Sequence, residues 1–471
     1  MKRYRIGCLV AVCCLLSVLL PGCAKRRAEE APQNESEASF SQLLAGMSKD
    51  TETELSSLTQ TVQKVILADG RLWGLGWGWQ QGSAAEEPEW VPQLVGCAAD
   101  GSDAVCAALQ LPEAETKEET SPSAIFGDES GGLYLLLALE HPQEEALAGV
   151  PGSRSYFLYT LSTDGALRDP LELECLEDEV VLASAAANGT AWLASDSFIV
   201  RVGLSSGEVQ RFSLPQTLQT PEVCPLSDNT AVVLDEIAGC WYQVDAQGGF
   251  SQKQMLPERL TKTQLLHPVI TDGQTQRTAE KVLLWDGNAI YQWSPAKNEA
   301  QPVMRWMDAS LNANDLLEVA ALADGRYLTV QKKEREEKEA FRLVLLTPST
   351  PEILNARTVL TLGTYDEPTP ALRAAVLAFN NASDSVFIQL QDFTLSDDAD
   401  LSQCILRGDG PDILLLSNAA SNNQYLNKGI FLDLYPFLDA DPELSREDLQ
   451  KNILAAAEYS GQLPTLIAAY D

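Results

Sequence analysis

The chain has 471 residues, 45% of them hydrophobic, and a formal charge of −34 from 33 basic and 67 acidic side chains. Its length exceeds one ordinary core, so two or three domains are expected. The charge excludes nucleic acid as a partner, because phosphate binding needs clustered Lys and Arg; it suits a self-repelling extracellular protein.

Lys2, Arg3 and Arg5 precede an apolar run from Ile6 to Leu20. As a helix that run reaches about 22 Å, short of the roughly 30 Å hydrocarbon core, so residues 1–22 read as a signal peptide rather than a spanning helix. The run closes on Leu20-Pro21-Gly22-Cys23, which resembles the bacterial lipoprotein box, with Pro21 a less usual residue at its position. The resemblance implies that Cys23 is lipidated, becomes the mature N-terminus and holds the protein at the outer face of the cell membrane. The alternative is an ordinary secretory peptide. Residues 23–60 are polar, with little to bury, and read as a flexible tether.

Six of the ten cysteines follow Cys23. Cys97 and Cys106 are symmetric about Gly101-Ser102, so a hairpin turning there sets them opposite each other. An extracellular disulfide or two buried thiols both fit. With no CxxC and no Cys/His cluster, neither zinc nor another cofactor is expected.

Residues 61–350 alternate short apolar or aromatic runs with turn signals, as in "LADGRLWGLGWGW", "ESGGLYLLLAL", "ANGTAWLAS", "WDGNAIYQW" and "LADGRYLTV". Gly after Asp or Asn, just before a strand-like run, is tight-turn chemistry. With blades of about 40–50 residues, turn glycines at 70, 132, 189, 287 and 325 mark six or seven blades. The expectation is an all-β, β-propeller-like domain, with a pair of β-sandwiches as the alternative. Trp73, Trp77 and Trp79 either stack on a sugar or pack between blades. His141 and His267 are the only histidines, and neither stands in a nucleophile motif.

Near Thr358 the period changes. "RTVLTLGTYDE" predicts a strand, Thr369 and Pro370 open a helix, and Leu372, Ala375, Val376 and Phe379 form its apolar stripe until Asn380-Asn381. "SVFIQLQDF" predicts a second strand, Ser396 to Arg407 a second helix, and "PDILLL" a third strand buried on both faces. The intervening "GDGPD" lacks the Lys of a phosphate loop and the twelfth-position Glu of a calcium loop, so it reads as an entry to that strand.

The order of these pieces, continued by "YLNKGIFLDLYPFLDAD", resembles the extracellular solute-binding proteins of ABC transporters, especially the carbohydrate-binding group. Gly408, Pro411 and Asp412 match a Gly-x-x-Pro-Asp segment. Lys428, Gly429, Asp433 and Leu434 match a second motif, with Phe431 where the family usually has Leu. The resemblance implies an α/β lobe over residues 357–471, incomplete in this chain, whose fuller form closes on a solute delivered to a membrane permease.

Ligands of open α/β sheets sit beyond the carboxyl ends of strands. That singles out Tyr365, Asp366 and Glu367, Phe393 and Thr394, and Ser417 and Asn418, which otherwise are ordinary solvated loop residues. The expected function is a non-catalytic, lipid-anchored solute-binding protein of an ABC-type uptake system, with sugar the favoured ligand. A propeller lipoprotein acting as a surface scaffold is the alternative.

Overall fold

Strands of two to eleven residues fill the middle of the chain. The computed structural model describes residues 47–54, 61–80, 88–112, 119–141, 153–271, 281–348, 357–392, 408–415 and 429–467. Within those spans, 129, 188, 227–228, 262–265, 336–337, 365–367, 384, 409 and 443 are not described. The chain divides into one unit of Gly46–Ala309 with Ala313–Pro348, and a second that includes Ser349–Asp471. Among the described residues no helix is long and apolar enough to cross a membrane.

The first unit is a six-bladed β-propeller. Its first blade is β2 (Thr61–Ala68), β3 (Arg71–Gln80), β4 (Glu89–Ala98) and β5 (Val105–Ala108). The second is β6 (Glu119–Gly127), β7 (Leu133–His141), β8 (Ser153–Leu161) and β9 (Leu167–Glu172). The third is β10 (Ala183–Ala187), β11 (Thr190–Ala194), β12 (Phe198–Gly203) and β13 (Val209–Ser213). The fourth is β14 (Pro221–Pro225), β15 (Ala231–Asp235), β16 (Cys240–Val244) and β17 (Gln254–Met255).

The fifth blade is β18 (His267–Pro268), β20 (Val282–Trp285), β21 (Ala289–Ser294) and β22 (Glu299–Arg305). In the sixth, β23 (Leu316–Ala321), β24 (Tyr327–Arg335) and β25 (Lys338–Pro348) take β1 (Met47–Glu54) as their outer strand, while β19 (Ile270–Thr271) lies parallel on the inner side of β23. The innermost strands neighbour one another in turn, β2 to β6, β10, β14 and β18, and β23 returns to β2. Six separate sheets in a ring set the sandwich alternative aside.

Alternation explains the continuous apolar runs. In β7, Leu135 and Leu137 pack towards the first blade while Leu136 and Ala138 pack towards the third. In β15, Ala231 and Val233 face the third blade, and Val232 and Leu234 the fifth. A blade's inner strands are covered on both faces, so both sets of side chains must be apolar.

Turns are held by carboxylates. Asp128 Oδ1 accepts from the N–H groups of Ser130 and Gly132, Asp245 Oδ1 from Gln247 and Gly249, and Asp286 Oδ1 from Asn288 and Ala289. Gly70, Gly189 and Gly325 have the positive φ expected of turn glycines; in the second blade it is Gly131, not Gly132, that does. Gly287 keeps a negative φ, its turn being organised by the Asp286 carboxylate.

Of the two readings of Cys97 and Cys106, the disulfide is not formed, and Cys106 is exposed rather than buried. Cys97 and Cys106 are free thiols. Gly101 N–H donates to Ala98 and Ala98 N–H to Ser102, which sets Val95, not Cys97, opposite Cys106. Cys97 is buried between the first and sixth blades, and burial pushes its thiol up to about 11.

The second unit contains a parallel sheet in the order β27-β26-β28, from β26 (Thr358–Thr364), β27 (Val386–Asp392) and β28 (Ile413–Leu414). Helix α1 (Pro370–Ala382) connects β26 to β27. The Thr369 hydroxyl accepts from Leu372 N–H at 3.2 Å, and Leu372, Val376, Leu377 and Phe379 are buried. Two expectations differ. Asn380 does not end the helix; it is buried, with Nδ2 donating to Ile388 O and Oδ1 accepting from Ile388 N–H, so its amide binds β27 like a strand edge. The third strand is two residues long with half-buried side chains rather than a run buried on both faces. The predicted helix over 396–407 lies outside the described residues.

Further on, α2 (Tyr435–Ala440) and α3 (Lys451–Ala457) pack through Leu438, Ala457 and Leu463. Asp433 accepts from Tyr435 and Leu463 N–H groups, and Ser445 with Asp448 forms a capping box.

Candidate functional site

All seven residues singled out after the strands, Tyr365, Asp366, Glu367, Phe393, Thr394, Ser417 and Asn418, lie outside the described residues, as does Cys23. The strand ends that precede the seven are described. Thr364 pairs with Asp392 across β26 and β27, and Gly363 with Leu414 across β26 and β28, so three parallel strands finish side by side. At that edge the Thr364 side chain is fully buried, and its hydroxyl has no hydrogen-bond partner among the described residues.

The "GDGPD" stretch is structural. Gly408 has a φ of +81°, and Asp412 Oδ2 accepts from both the N–H and the hydroxyl of Thr361. Thr361 Oγ1 accepts in turn from Asp412 N–H at 2.9 Å, which clamps β28 to the central strand.

The tryptophans divide. Trp73 is buried, its ring 2.4 Å from where a Cβ on Gly96 would sit, so only glycine fits opposite it. Trp79 and Trp90, paired across β3 and β4, are exposed and meet edge to face at 5.2 Å.

A group that sequence spacing leaves scattered comes together where the innermost strands converge. His267 on β18 lies with Nδ1 3.8 Å from Glu222 Oε1 on β14, and its ring meets buried Trp285 at 4.9 Å with the planes tilted by 44°. Glu222 holds the imidazole pKa above its ordinary value against the opposing effect of burial, with help from Glu236 and Glu318. Glu318 on β23 is half-buried; burial pushes its carboxyl up to about 7, opposed by Lys64 of β2 and by His267, and reinforced by Glu222. Four strands from four blades thus bring two acids, an imidazole and an ammonium within electrostatic reach. Among the described residues, no group of acids, histidines and cysteines has the geometry to hold a metal.

Lys64 and Glu318 each follow an irregularity. Register slips between Val62 and Lys64 on β2, and between Leu316 and Glu318 on β23. A bulge inserts one residue and re-aims the side chains beside it. The signal readable in sequence was a charged residue inside a largely apolar strand, Lys64 in "TVQKVILA" and Glu318 in "LLEVAA".

No protein-family model and no curated protein matches the chain. Solved structures similar to it include lyases and WD40 proteins. A streptogramin B lyase structure has 12% identity and a TM-score of 0.36, covering 64% of this chain and 98% of its own. A virginiamycin B lyase from Staphylococcus aureus has 12% identity and a TM-score of 0.34, over 64% and 99%. The RRP9 WD40 repeats have 6% identity and a TM-score of 0.39, over 64% and 99%. The expectation of a non-catalytic chain is corrected: structures titled as lyases stand beside WD40 proteins among those similar to it. At these scores the likeness assigns no reaction or ligand to this chain.

Proposed function

We propose that this chain is a lipid-anchored extracellular solute-binding protein whose α/β unit takes a small solute, a sugar by preference, for an ABC-type permease. The observation that carries the reading is the common finish of β26, β27 and β28. Residues that follow adjacent parallel strands at one edge are where open α/β sheets bind ligands, and Tyr365, Asn418 and the other five candidates follow these strands in sequence. The Thr364 hydroxyl at that edge, buried and without a partner among the described residues, supports it further.

Isothermal titration of the full chain against an oligosaccharide panel tests the proposal. Saturable binding that weakens at least tenfold in Tyr365→Ala and Asn418→Ala is expected; absence of binding to every sugar, peptide and amino acid sinks it. Palmitate labelling that vanishes in Cys23→Ser tests the anchor separately. A surface scaffold is the second reading, favoured by the exposed Trp79–Trp90 pair. It gains if deleting residues 358–471 leaves the cellular phenotype unchanged.

A further inference from the structure

We propose that Cys97 and Cys106 are a reversible redox couple, closed into a disulfide by a two-residue slip of the edge strand β5. The structure shows the couple reduced, with Cys97 buried and Cys106 exposed. Val95 stands opposite Cys106 in the ladder, and Cys97 lies two residues further along β4 on the same face. The two cysteines are therefore diagonal neighbours, about 7–8 Å apart by ordinary sheet geometry. That is just beyond the span a disulfide bridges.

A slip of two residues preserves what a strand pair has to match. Leu109 N–H donates to Pro92 O at 2.9 Å, so alternation along the ladder makes Val95 and Cys106 a non-hydrogen-bonded pair. Moving β5 two residues towards its turn sets Cys106 opposite Cys97 in a pair of the same kind and on the same face. Such pairs hold their Cα atoms about 4.5 Å apart, inside the range a disulfide needs. Counting on, Asp100 and Asp103 become the hydrogen-bonded pair that closes a two-residue Gly101-Ser102 turn. The first residue of that turn needs a positive φ, and Gly101 already has +80°. Asp103, at +51° in the wider turn of the reduced form, becomes a strand residue.

The surroundings permit the slip without favouring it. β5 has four residues and lies at the edge of its sheet. An apolar cavity of about 20 Å³ lies beside Cys97, lined also by Val62, Gly74, Val95 and Val330. Leu109, which is buried, and Gln110, whose N–H donates to Gly165 O at 2.9 Å, hold the reduced register. A disulfide that works against such contacts is readily reduced, as regulatory disulfides are. The turn that reshapes also meets the strand that closes the ring, since Thr53 Oγ1 on β1 donates to Asp100 O at 3.1 Å.

The oxidant is a small disulfide. The exposed Cys106 thiolate attacks it, forming a mixed disulfide and releasing one thiol. Cys97 then gives up its proton and displaces the second thiol, so the two cysteines lose two hydrogens and the oxidant becomes two thiols. Burial raises both cysteine pKa values, that of Cys97 to about 11, so the exchange is slow near neutrality and faster at alkaline pH. The couple lies within the propeller and does not rest on the solute reading of the α/β unit.

The test is incubation of the reduced full chain at pH 8 with oxidised glutathione, followed by non-reducing peptide mapping in a mass spectrometer. Expected are a Cys97–Cys106 link with the loss of two hydrogens and its removal by dithiothreitol. Amide exchange at Gln110 should quicken in the oxidised form while Val95 stays protected. Cys97→Ala should stop at a glutathione adduct on Cys106, and Cys106→Ala should leave Cys97 unmodified. Wild-type mapping decides the couple without either variant: both thiols left reduced, or an adduct on Cys106 that never resolves, overturns it. A link formed with Gln110 still protected overturns the slip.

Discussion

The propeller blades and the parallel sheet settle strand pairing by different means. In a blade, consecutive strands meet through turns of a few residues, and register follows from local carboxylates such as Asp128, Asp245 and Asp286. In the α/β unit, β26 and β27 are parallel and meet only after α1 has crossed between them. There, side chains outside any tight turn hold the register: Asn380 bonds the backbone of Ile388, eight residues on, and Asp412 bonds Thr361, 51 residues back. Turn-borne register distributes the work over many small sites, whereas crossover-borne register concentrates it in a few.

That contrast is open to experiment because all nine tryptophans lie between residues 73 and 306, so their emission reports on the propeller alone. The largest effect is expected from Trp293→Ala. Trp293 is fully buried and packs edge to face on Trp241 at 5.0 Å, and its loss should cost about 3–5 kcal/mol in denaturant unfolding followed by tryptophan emission. Asn380→Ala should come next. It strips two buried backbone groups of their partners at about 1–3 kcal/mol each, abolishing exchange protection at Ile388 while leaving the tryptophan transition in place.

Asp286→Ala should cost about 2 kcal/mol, since its buried carboxylate also accepts from the Tyr291 hydroxyl. An unchanged midpoint there would break the view that carboxylates set blade register. Asp412→Ala should be milder, about 1 kcal/mol, read as faster amide exchange along β26.

The smallest effect is a pH dependence. Glu318 has a folded pKa near 7 against an ordinary 4.5, so between those values the unfolded chain ionises first and binds fewer protons than the folded one. Stability from this group is therefore full below about 4.5 and lost as pH rises towards 7. His267, its pKa also raised, adds a loss of the same sign on rising pH. Glu318→Gln should flatten the fall in melting temperature between pH 5 and pH 8; an equally steep fall would place the titration elsewhere.

Much of the fold was legible because its devices are local. Asp-Gly and Asn-Gly punctuation, with apolar runs between, signalled the blades, and Thr369-Pro370 with its stripe signalled α1. The failures share one cause, that pairing across space does not follow symmetry in sequence. A turn displaced by one residue took Cys97 out of line with Cys106. Asn380, apparently a helix stop, reaches a strand eight residues on. The cluster of Lys64, Glu222, His267 and Glu318 draws on positions up to 254 apart, brought together only by ring closure and re-aimed by bulges that leave no mark in composition.

Closure of that ring has a consequence for how the protein is made. The sixth blade borrows its outer strand from residues 47–54, whose partner, residues 342–348, is synthesised almost three hundred residues later. Until then β1 has nowhere to go, and the nascent propeller is an open arc with an unpaired edge at each end. The last step of assembly is a clasp between the oldest and youngest parts of the ring, fastened by main-chain bonds and by Arg342 reaching Glu52 at 2.9 Å. A clasp of this kind opens by pulling on the segment that precedes β1, so tension on the N-terminal side would be felt first by the seam and only afterwards by the other five blades.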